Sequence, residues 1–158
     1  MENELLAYLK ENNFTDKKFI LAISGGKDSM VLASLFYNLK LNFVAAHCNF
    51  QLRNEESNED ENFVNQWSFD RKINFYSTRF DTKKIKLDEK KSTQELAREL
   101  RYTYFEKLRQ ELNFDFICTA HHVNDQVETV LFNFFRGTGI KGLKGMDTRN
   151  NFILRPLL

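Results

Sequence analysis

The chain has 158 residues and a formal net charge of +1, with 42% apolar and 28% charged residues. This length and composition are typical of one soluble globular domain with a substantial core. So small a net charge excludes an overall field that attracts nucleic acid or a membrane surface, so any nucleic-acid site has to be a local patch.

Signals for export or membrane insertion are not found in the sequence. No apolar run approaches the ~20 residues that span a bilayer, and the stretch MENELLAYLKENN lacks the apolar region of a secretory signal. The two cysteines, Cys48 and Cys118, lie far apart and form no CxxC pair, which favours free thiols in a reducing compartment. We therefore expect a cytoplasmic protein with no membrane partner; the pattern carries no indication of oligomeric state.

Short apolar runs alternate with amphipathic stretches along the chain. The runs predict strands at residues 19–23, 43–47, 74–80 and 114–120. Each amphipathic stretch places its apolar residues on one helical face: Val31, Leu32, Leu35, Phe36 and Leu39, then Ala97, Leu100, Tyr104 and Leu108, then Val127, Val130, Leu131 and Phe134. This alternation predicts an α/β fold, with a doubly wound parallel sheet of about five strands and helices on both faces.

Two stretches have an unusual charge. Residues 54–62, NEESNEDEN, contain five acidic side chains, and we interpret them as a solvated loop leading into the next helix. Residues 136–146, RGTGIKGLKGM, include a literal GxGxxG, but a helix is predicted before it where a dinucleotide-binding loop needs a strand. A basic, glycine-rich loop suits contact with phosphate or RNA, and an ordinary connecting loop is the alternative.

The segment SGGKDS joins the first predicted strand to the first predicted helix. In this arrangement backbone amides and a helix N-terminus bind phosphate. The two glycines let the backbone approach the anion, the serine hydroxyls can donate hydrogen bonds, and the lysine supplies positive charge. The candidate ATP-binding residues here are Ser24, Gly25, Gly26, Lys27, Asp28 and Ser29.

Asp28 distinguishes this loop from a Walker A motif, which requires GxxxxGK followed directly by Ser or Thr. A carboxylate beside a phosphate is repulsive unless a cation lies between them. Asp28 therefore indicates Mg²⁺ held at the loop. The alternative is a tight turn with a polar helix cap, which the same residue types favour.

Further polar residues follow the second and third predicted strands. His47 ends the second strand and Arg53 follows it, and doubly wound sheets bind ligands beyond the carboxyl ends of their strands. In the helix after the third strand, Gln94, Arg98 and Arg101 fall within about 60° of arc on one face. The arginines are candidates for contact with phosphate or RNA, and a solvated charged helix is the alternative.

The segment HHVNDQVET follows the fourth predicted strand. Asn124 is the expected N-cap of the next helix, with Asp125 and Glu128 on one face of its first turn and His121 just before it. The helix dipole alone favours acids at such a position. The spacing is not that of an HExxH zinc helix and no cysteine joins it, so a role in binding Mg²⁺ or an amine at a nucleotide site fits better than zinc.

SGGKDS resembles the SGGxDS signature of the N-type ATP pyrophosphatases, the PP-loop enzymes. HCNFQLR, STQELARELRY, HHVNDQVET, RGTGIKGLKGM and RPLL occur in the order seen in the tRNA(Ile)-lysidine synthetases, so the resemblance extends from about Phe19 to the last residue. One departure is Phe50, which stands where the family's second motif, similar to HxNHxLR, has its second histidine. No role of that histidine carries over.

The resemblance implies an enzyme that joins free lysine to C2 of the wobble cytidine in a tRNA(Ile) with a CAU anticodon. ATP adenylates the C2 oxygen and releases pyrophosphate, and the lysine ε-amine then displaces AMP. The loop and His47 would bind ATP with Mg²⁺ at Asp28. The candidate catalytic residues are Asp28, Arg98 and Arg101 for phosphate charge or tRNA, His121 or Asp125 as base, and Asp125 with Glu128 for the amine.

The loop signature is shared by other PP-loop enzymes, so alternatives stay open. A tRNA thiolase needs a sulfur-carrying cysteine, for which Cys48 is the candidate. An amide ligase releases AMP without tRNA, and a non-catalytic module binds ATP without turnover. We interpret residues 1–158 as one catalytic domain, and the resemblance implies further C-terminal tRNA-binding domains outside this chain.

Overall fold

The computed structural model describes residues 1–51, 55–81, 92–137 and 144–158. Its described helices are α1 (Glu2–Glu11), α2 (Lys27–Asn38), α3 (Glu55–Asp70), α4 (Thr93–Leu112) and α5 (Val123–Phe135). Its described strands are β1 (Lys18–Ala22), β2 (Asn42–Asn49), β3 (Phe75–Arg79), β4 (Phe116–Thr119), β5 (Arg149–Asn150) and β6 (Ile153–Leu154). Arg53 and the middle of the basic loop, residues 138–143, lie outside the described residues. None of the helices in the described ranges is long and apolar enough to cross a membrane.

The strands form one sheet in the order β3-β2-β1-β4-β6-β5. All neighbouring pairs are parallel except β5 and β6, which are antiparallel. This confirms the predicted doubly wound α/β fold. The winding reverses between β1 and β4, and the crevice beyond their carboxyl ends is where such sheets bind ligands. The sheet has six strands where about five are predicted. The sequence located four of them and missed β5 and β6, because two-residue strands have no detectable periodicity.

Two apolar clusters lie on opposite faces of the sheet. On one face, Leu5, Phe36 and Val64 from α1, α2 and α3 are buried against apolar side chains of β1 and β4. On the other face, Phe105 and Leu108 of α4 pack on β1, β2 and β4. Burying the middle of the sheet on both faces holds the strand ends, and the loops that follow them, in a fixed relation.

The last predicted helix forms, but the described residues leave its apolar face largely exposed. No residue of α5 is buried, and Val127, Leu131 and Phe134 are 52%, 49% and 64% exposed. Among the described residues, this apolar face is therefore not part of either core cluster. The 3.6-residue period predicts the helix, but it does not specify what the helix packs against.

The described part of the acidic stretch, residues 55–62, is not the solvated loop that its charge suggests, because it forms the first turns of α3. Residue 54 lies outside the described residues. Within the described part, Glu61 is only 7% exposed. Its carboxylate accepts hydrogen bonds from Asn49 Nδ2 at 2.8 Å, Ser77 Oγ at 2.8 Å and Arg79 Nε at 2.9 Å. These bonds tie α3 to the carboxyl ends of β2 and β3. A count of charges does not reveal which single carboxylate faces inward.

Glu61→Gln is expected to lower the free energy of unfolding by about 2 kcal/mol at pH 7. The side-chain NH₂ of the glutamine would face hydrogen-bond donors, so one of these donors would lose its acceptor. Burial by itself raises the pKa of Glu61, but the bonds from Asn49, Ser77 and Arg79 outweigh it and hold the pKa below its ordinary value. The stabilisation is therefore present above the ordinary carboxyl pKa and is lost as the pH falls through the lowered one. Urea unfolding from pH 7 downwards measures both effects.

Glu59→Gln is the matched control, since Glu59 lies on the same helix with an exposed side chain. We expect it to leave the stability nearly unchanged. Equal effects of the two substitutions, or a difference between wild type and Glu61→Gln that persists in acid, would contradict the role of the buried carboxylate.

Candidate functional site

The SGGKDS loop lies at the carboxyl end of β1 and leads directly into α2, whose N-cap is Gly26. Gly25 has φ +92°, a backbone conformation that L side chains rarely adopt. A Cβ at Gly25 would lie 2.8 Å from Asp60 Oδ1 and 2.9 Å from Asp60 Cβ. Glycine therefore permits both the turn and the close approach of α3. Sequence reasoning missed Asp60 because it assigned the acidic stretch to a loop.

Hydrogen bonds inside the loop fix its two serines. Ser29 Oγ donates to the Gly26 carbonyl oxygen at 2.8 Å, and the Ser24 amide donates to Ser29 Oγ at 3.2 Å. The Gly26 amide donates to Ser24 Oγ at 3.3 Å. The first turn of α2 also carries Lys27 and Asp28. A helix N-terminus with a lysine beside it is an arrangement that binds phosphate.

A cleft of about 250 Å³ opens beyond the carboxyl ends of β1 and β4. The loop contributes Ser24, Gly26, Lys27, Asp28 and Ser29, and the opposite walls contribute Cys48, Arg101, Tyr102, Phe105, Thr119, Ala120, His121 and Asp125. The structure therefore brings the loop, α4 and the segment before α5 together, as the topology predicts. Gly25, His47, Arg98 and Glu128 are not among the residues that line this cleft.

His47 lies inside β2 rather than beyond its end, because the strand continues to Asn49. Its side chain is 3% exposed, and its Nδ1 is 2.8 Å from the carbonyl oxygen of Ile23. Burial lowers the pKa of His47, which favours a neutral ring that donates from Nδ1 to this carbonyl. The expectation of a direct ATP contact is corrected by this placement: His47 supports the backbone just before the loop.

His121 faces the cleft from the segment after β4. Its Nδ1 lies 2.8 Å from Thr119 Oγ1. Burial lowers the pKa of His121, with a further contribution from the positive charge of Arg155, while Asp125 opposes the shift. A neutral imidazole can accept a proton at neutral pH. The buried Thr119, which sequence reasoning missed, is placed to hold this ring.

His122, not Asn124, is the N-cap of α5. Its Nδ1 accepts from the Asn124 amide at 3.2 Å, and its own amide donates to Asp125 Oδ2 at 2.7 Å. Because Nδ1 accepts, the neutral ring carries its hydrogen on Nε2, which lies 3.4 Å from Asp28 Oδ2. His122 therefore links the carboxylate of the phosphate loop to the helix of Asp125. The sequence pattern missed this link because it placed the cap two residues later.

The two predicted arginines of α4 differ in position. Arg101 lines the cleft and its guanidinium lies 5.3 Å from the ring centroid of Phe50. Arg98 is exposed, with its guanidinium 5.3 Å from the ring centroid of Tyr102. Glu128 is likewise exposed, one turn beyond the cleft residues of α5. Phe50, where the resembled family has a histidine, is thus a platform for Arg101.

Asp28 is the carboxylate that fits the predicted Mg²⁺. Its side chain is 56% exposed in the cleft, and Mg²⁺ at nucleotide sites usually takes one or two carboxylates together with phosphate oxygens. Within the described ranges, no group of three or more His, Cys, Asp or Glu side chains is placed to hold a metal ion. The disfavoured zinc hypothesis therefore finds no ligand set in that part of the chain.

Comparison with known proteins identifies similar sequences and folds. The chain is 44% identical over 160 residues to the tRNA(Ile)-lysidine synthase of Bacteroides thetaiotaomicron, covering 100% of this chain and 38% of that protein. It is 47% identical over 143 residues to the enzyme of that name from Chlorobaculum tepidum, covering 88% of this chain and 43% of that protein. The chain thus spans about two fifths of the length of these curated relatives.

Solved structures share the fold at lower identity. The U34-tRNA thiolase NcsA from Methanococcus maripaludis, solved with its [4Fe-4S] cluster, has a TM-score of 0.75 at 18% identity, covering 99% of this chain and 57% of that one. The NH3-dependent NAD synthetase from Campylobacter jejuni has a TM-score of 0.63 at 16% identity, covering 83% and 58%. The family model of the PP-loop domain matches residues 1–158. With the loop, its cleft and this match over the whole sequence, the chain belongs to the PP-loop domain family.

Proposed function

We propose that this chain is the catalytic domain of an ATP-dependent ligase that attaches lysine to C2 of the wobble cytidine of a CAU-anticodon tRNA(Ile). The observation that carries the proposal is one cleft containing the SGGKDS loop on one side and His121 with Asp125 on the other. The similarity to tRNA(Ile)-lysidine synthases at 44% and 47% identity supports the choice of substrates. Such an enzyme acts in the cytoplasm, where tRNA, ATP and free lysine are present together.

The first step transfers AMP to the base. The cytidine C2 oxygen attacks the α-phosphorus of ATP, the bond to the β-phosphate breaks, and pyrophosphate leaves. The amides at the start of α2, the serine hydroxyls and Lys27 hold the leaving phosphates, and Arg101 faces the charge that develops on the α-phosphate. Mg²⁺ at Asp28, when bound, neutralises charge on the phosphate oxygens.

The second step forms the new carbon–nitrogen bond. The lysine ε-amine attacks C2, and AMP leaves with the former carbonyl oxygen. The amine is protonated in water, with a pKa of about 10.4, so it has to lose a proton first. We assign the removal of that proton to His121, whose ring faces the cleft, and the attraction of the cationic amino acid to Asp125 with Glu128, one turn further on. Arg98, outside the cleft, is assigned to the tRNA backbone.

Thr119→Val is expected to lower kcat about tenfold with little change in the KM for ATP, because it removes the hydroxyl that fixes the His121 ring and so disturbs the geometry of proton transfer. Thr119→Ser keeps a hydroxyl and should recover most of the activity. Steady-state kinetics of AMP formation compare the variants. A similar loss in the valine and serine variants would indicate a packing role for Thr119 instead.

A tRNA thiolase is the alternative that the fold leaves open, and the environment of Cys48 argues against it. Burial raises the pKa of the Cys48 thiol to about 12, against the opposing charge of Arg101. The thiol is therefore protonated at neutral pH, whereas sulfur transfer requires a reactive thiolate. The sequence holds two cysteines, and the other, Cys118, is fully buried.

The proposal is tested with α-labelled ATP, Mg²⁺ and an unmodified CAU-anticodon tRNA(Ile), with and without lysine. We expect label in AMP only when this tRNA is present, and faster release with lysine. AMP formed without tRNA would favour an amide ligase. ADP as the product would refute the pyrophosphatase chemistry. A chain that binds ATP without turnover would favour a binding module, provided that it still shows no turnover after it is extended to the length of its relatives.

A further inference from the structure

Arg155 is a buried arginine that has no carboxylate partner among the described residues. Its side chain is 5% exposed, and its Nη1 donates to the carbonyl oxygen of Asp147 at 2.8 Å. Its Nε is buried and has no hydrogen-bond partner among the described residues. Among these described residues, no carboxylate lies within ion-pair distance of the Arg155 guanidinium. A buried charge in this state is costly, because one carbonyl replaces only part of its hydration.

The register of the sheet places this charge beside the cleft. β4 and β6 are parallel, and Cys118 pairs with Leu154, so the next residues along, Thr119 and Arg155, are neighbours. Cys118 and Leu154 both belong to the cluster on one face of the sheet. Arg155 directly follows β6, and continuing the alternation of that strand by one residue would place it on the face of Thr119, which lines the cleft. Arg155 itself is not among the residues that line the cleft.

The effect of Arg155 on His121 also places Arg155 near the cleft. Its positive charge lowers the pKa of His121 more than the charges of Arg98 and Arg101 on α4 do. Of these three guanidinium groups, Arg101 lines the cleft and Arg98 is exposed outside it. Asp125 is a negative group near His121, and its carboxylate already accepts the amide hydrogen of His122.

We propose that Arg155 belongs to a second phosphate-binding subsite, on the β4–β6 side of the cleft and separate from the SGGKDS loop. The Nε–H, which has no partner among the described residues, is a donor for a phosphate oxygen, and the bound anion supplies a counter-charge that those residues do not provide. Either the nucleotide α-phosphate or the pyrophosphate group carries this chemistry. The inference depends on the proposed function only in placing a phosphate in this cleft.

The test compares wild type with Arg155→Met and Arg155→Gln, two neutral variants of which the second keeps a donor for the Asp147 carbonyl. Thermal unfolding and calorimetric titration use two probes, AMP and pyrophosphate, each with Mg²⁺. The affinity for one of them should fall about tenfold or more in both variants, the loss expected for a charged hydrogen bond. The Tm without ligand should stay the same or rise, because an uncompensated buried charge is removed. The affected probe identifies which phosphate Arg155 binds.

Arg71→Met is the matched control, because Arg71 also donates to a carbonyl, that of Trp67, and lies over its ring, on the α3 side of the sheet. It should lower the Tm slightly and leave both probe affinities unchanged. Wild-type affinities in both Arg155 variants, or a wild-type protein that binds neither probe, would overturn the inference. So would loss of folding in both variants, which would assign Arg155 a structural role. AMP formation with tRNA is assayed separately, so the proposed function can fail or hold independently.

Discussion

Asp28→Asn is expected to reduce AMP formation about 100-fold or more, while the protein stays folded. The carboxylate is 56% exposed and lies in the first turn of α2, so the substitution disturbs no packing. Asn keeps the shape but removes the negative charge that would hold Mg²⁺ against the phosphates, and electrostatic contributions to phosphoryl transfer are of this size. Rates are measured with saturating tRNA and lysine, and the Mg²⁺ dependence of ATP binding is measured by calorimetry on the same samples.

The control is Asp16→Asn, an exposed acid in the turn before β1. It should leave both the rate and the Mg²⁺ dependence at wild-type values. Near wild-type turnover in Asp28→Asn would refute the role of Asp28. A loss of turnover with an unchanged Mg²⁺ dependence of ATP binding would instead assign Asp28 to its contact with His122.

Gly25→Ala should weaken ATP binding at least tenfold and lower the free energy of unfolding by about 1–3 kcal/mol, the typical cost of a strained backbone conformation. The residue combines φ +92° with a Cβ position 2.8 Å from Asp60 Oδ1. The loop therefore has to move away from α3, and the amides that face the phosphates move with it. Equilibrium titration with ATP and urea unfolding measure the two effects.

Gly137→Ala is the control that separates the effect of backbone strain from the effect of the steric clash with Asp60. Gly137 has φ +69°, and a Cβ there would have no neighbour within 4 Å among the described residues. We expect a modest loss of stability and unchanged ATP affinity. If Gly25→Ala binds ATP as wild type does, the close packing of α3 on the loop is unimportant for the site. If both variants lose ATP affinity, general destabilisation explains the effect.

The local elements of this protein follow from local sequence patterns. Alternating apolar runs and helical periods predict four parallel strands and the helices between them, since period and composition are properties of adjacent residues. The topology then follows, because a strand–helix–strand order requires a parallel sheet whose strand ends meet at one edge. On that basis the SGGKDS loop, Arg101, His121 and Asp125 are predicted at one pole, and the structure brings them to one cleft.

Contacts between distant segments were decided only by the tertiary structure. In the packing of α3, Glu61 faces inward and Asp60 lies against Gly25. The number of acidic residues in the stretch does not indicate which of them takes either position. Likewise, β2 extends past His47, so this side chain is buried beneath the loop. The burial of Arg155 beside the end of β4 depends on the pairing of β4 with β6. Sequence determines which groups are available, whereas burial and register determine which of them face the cleft, because both arise from residues far apart in the chain.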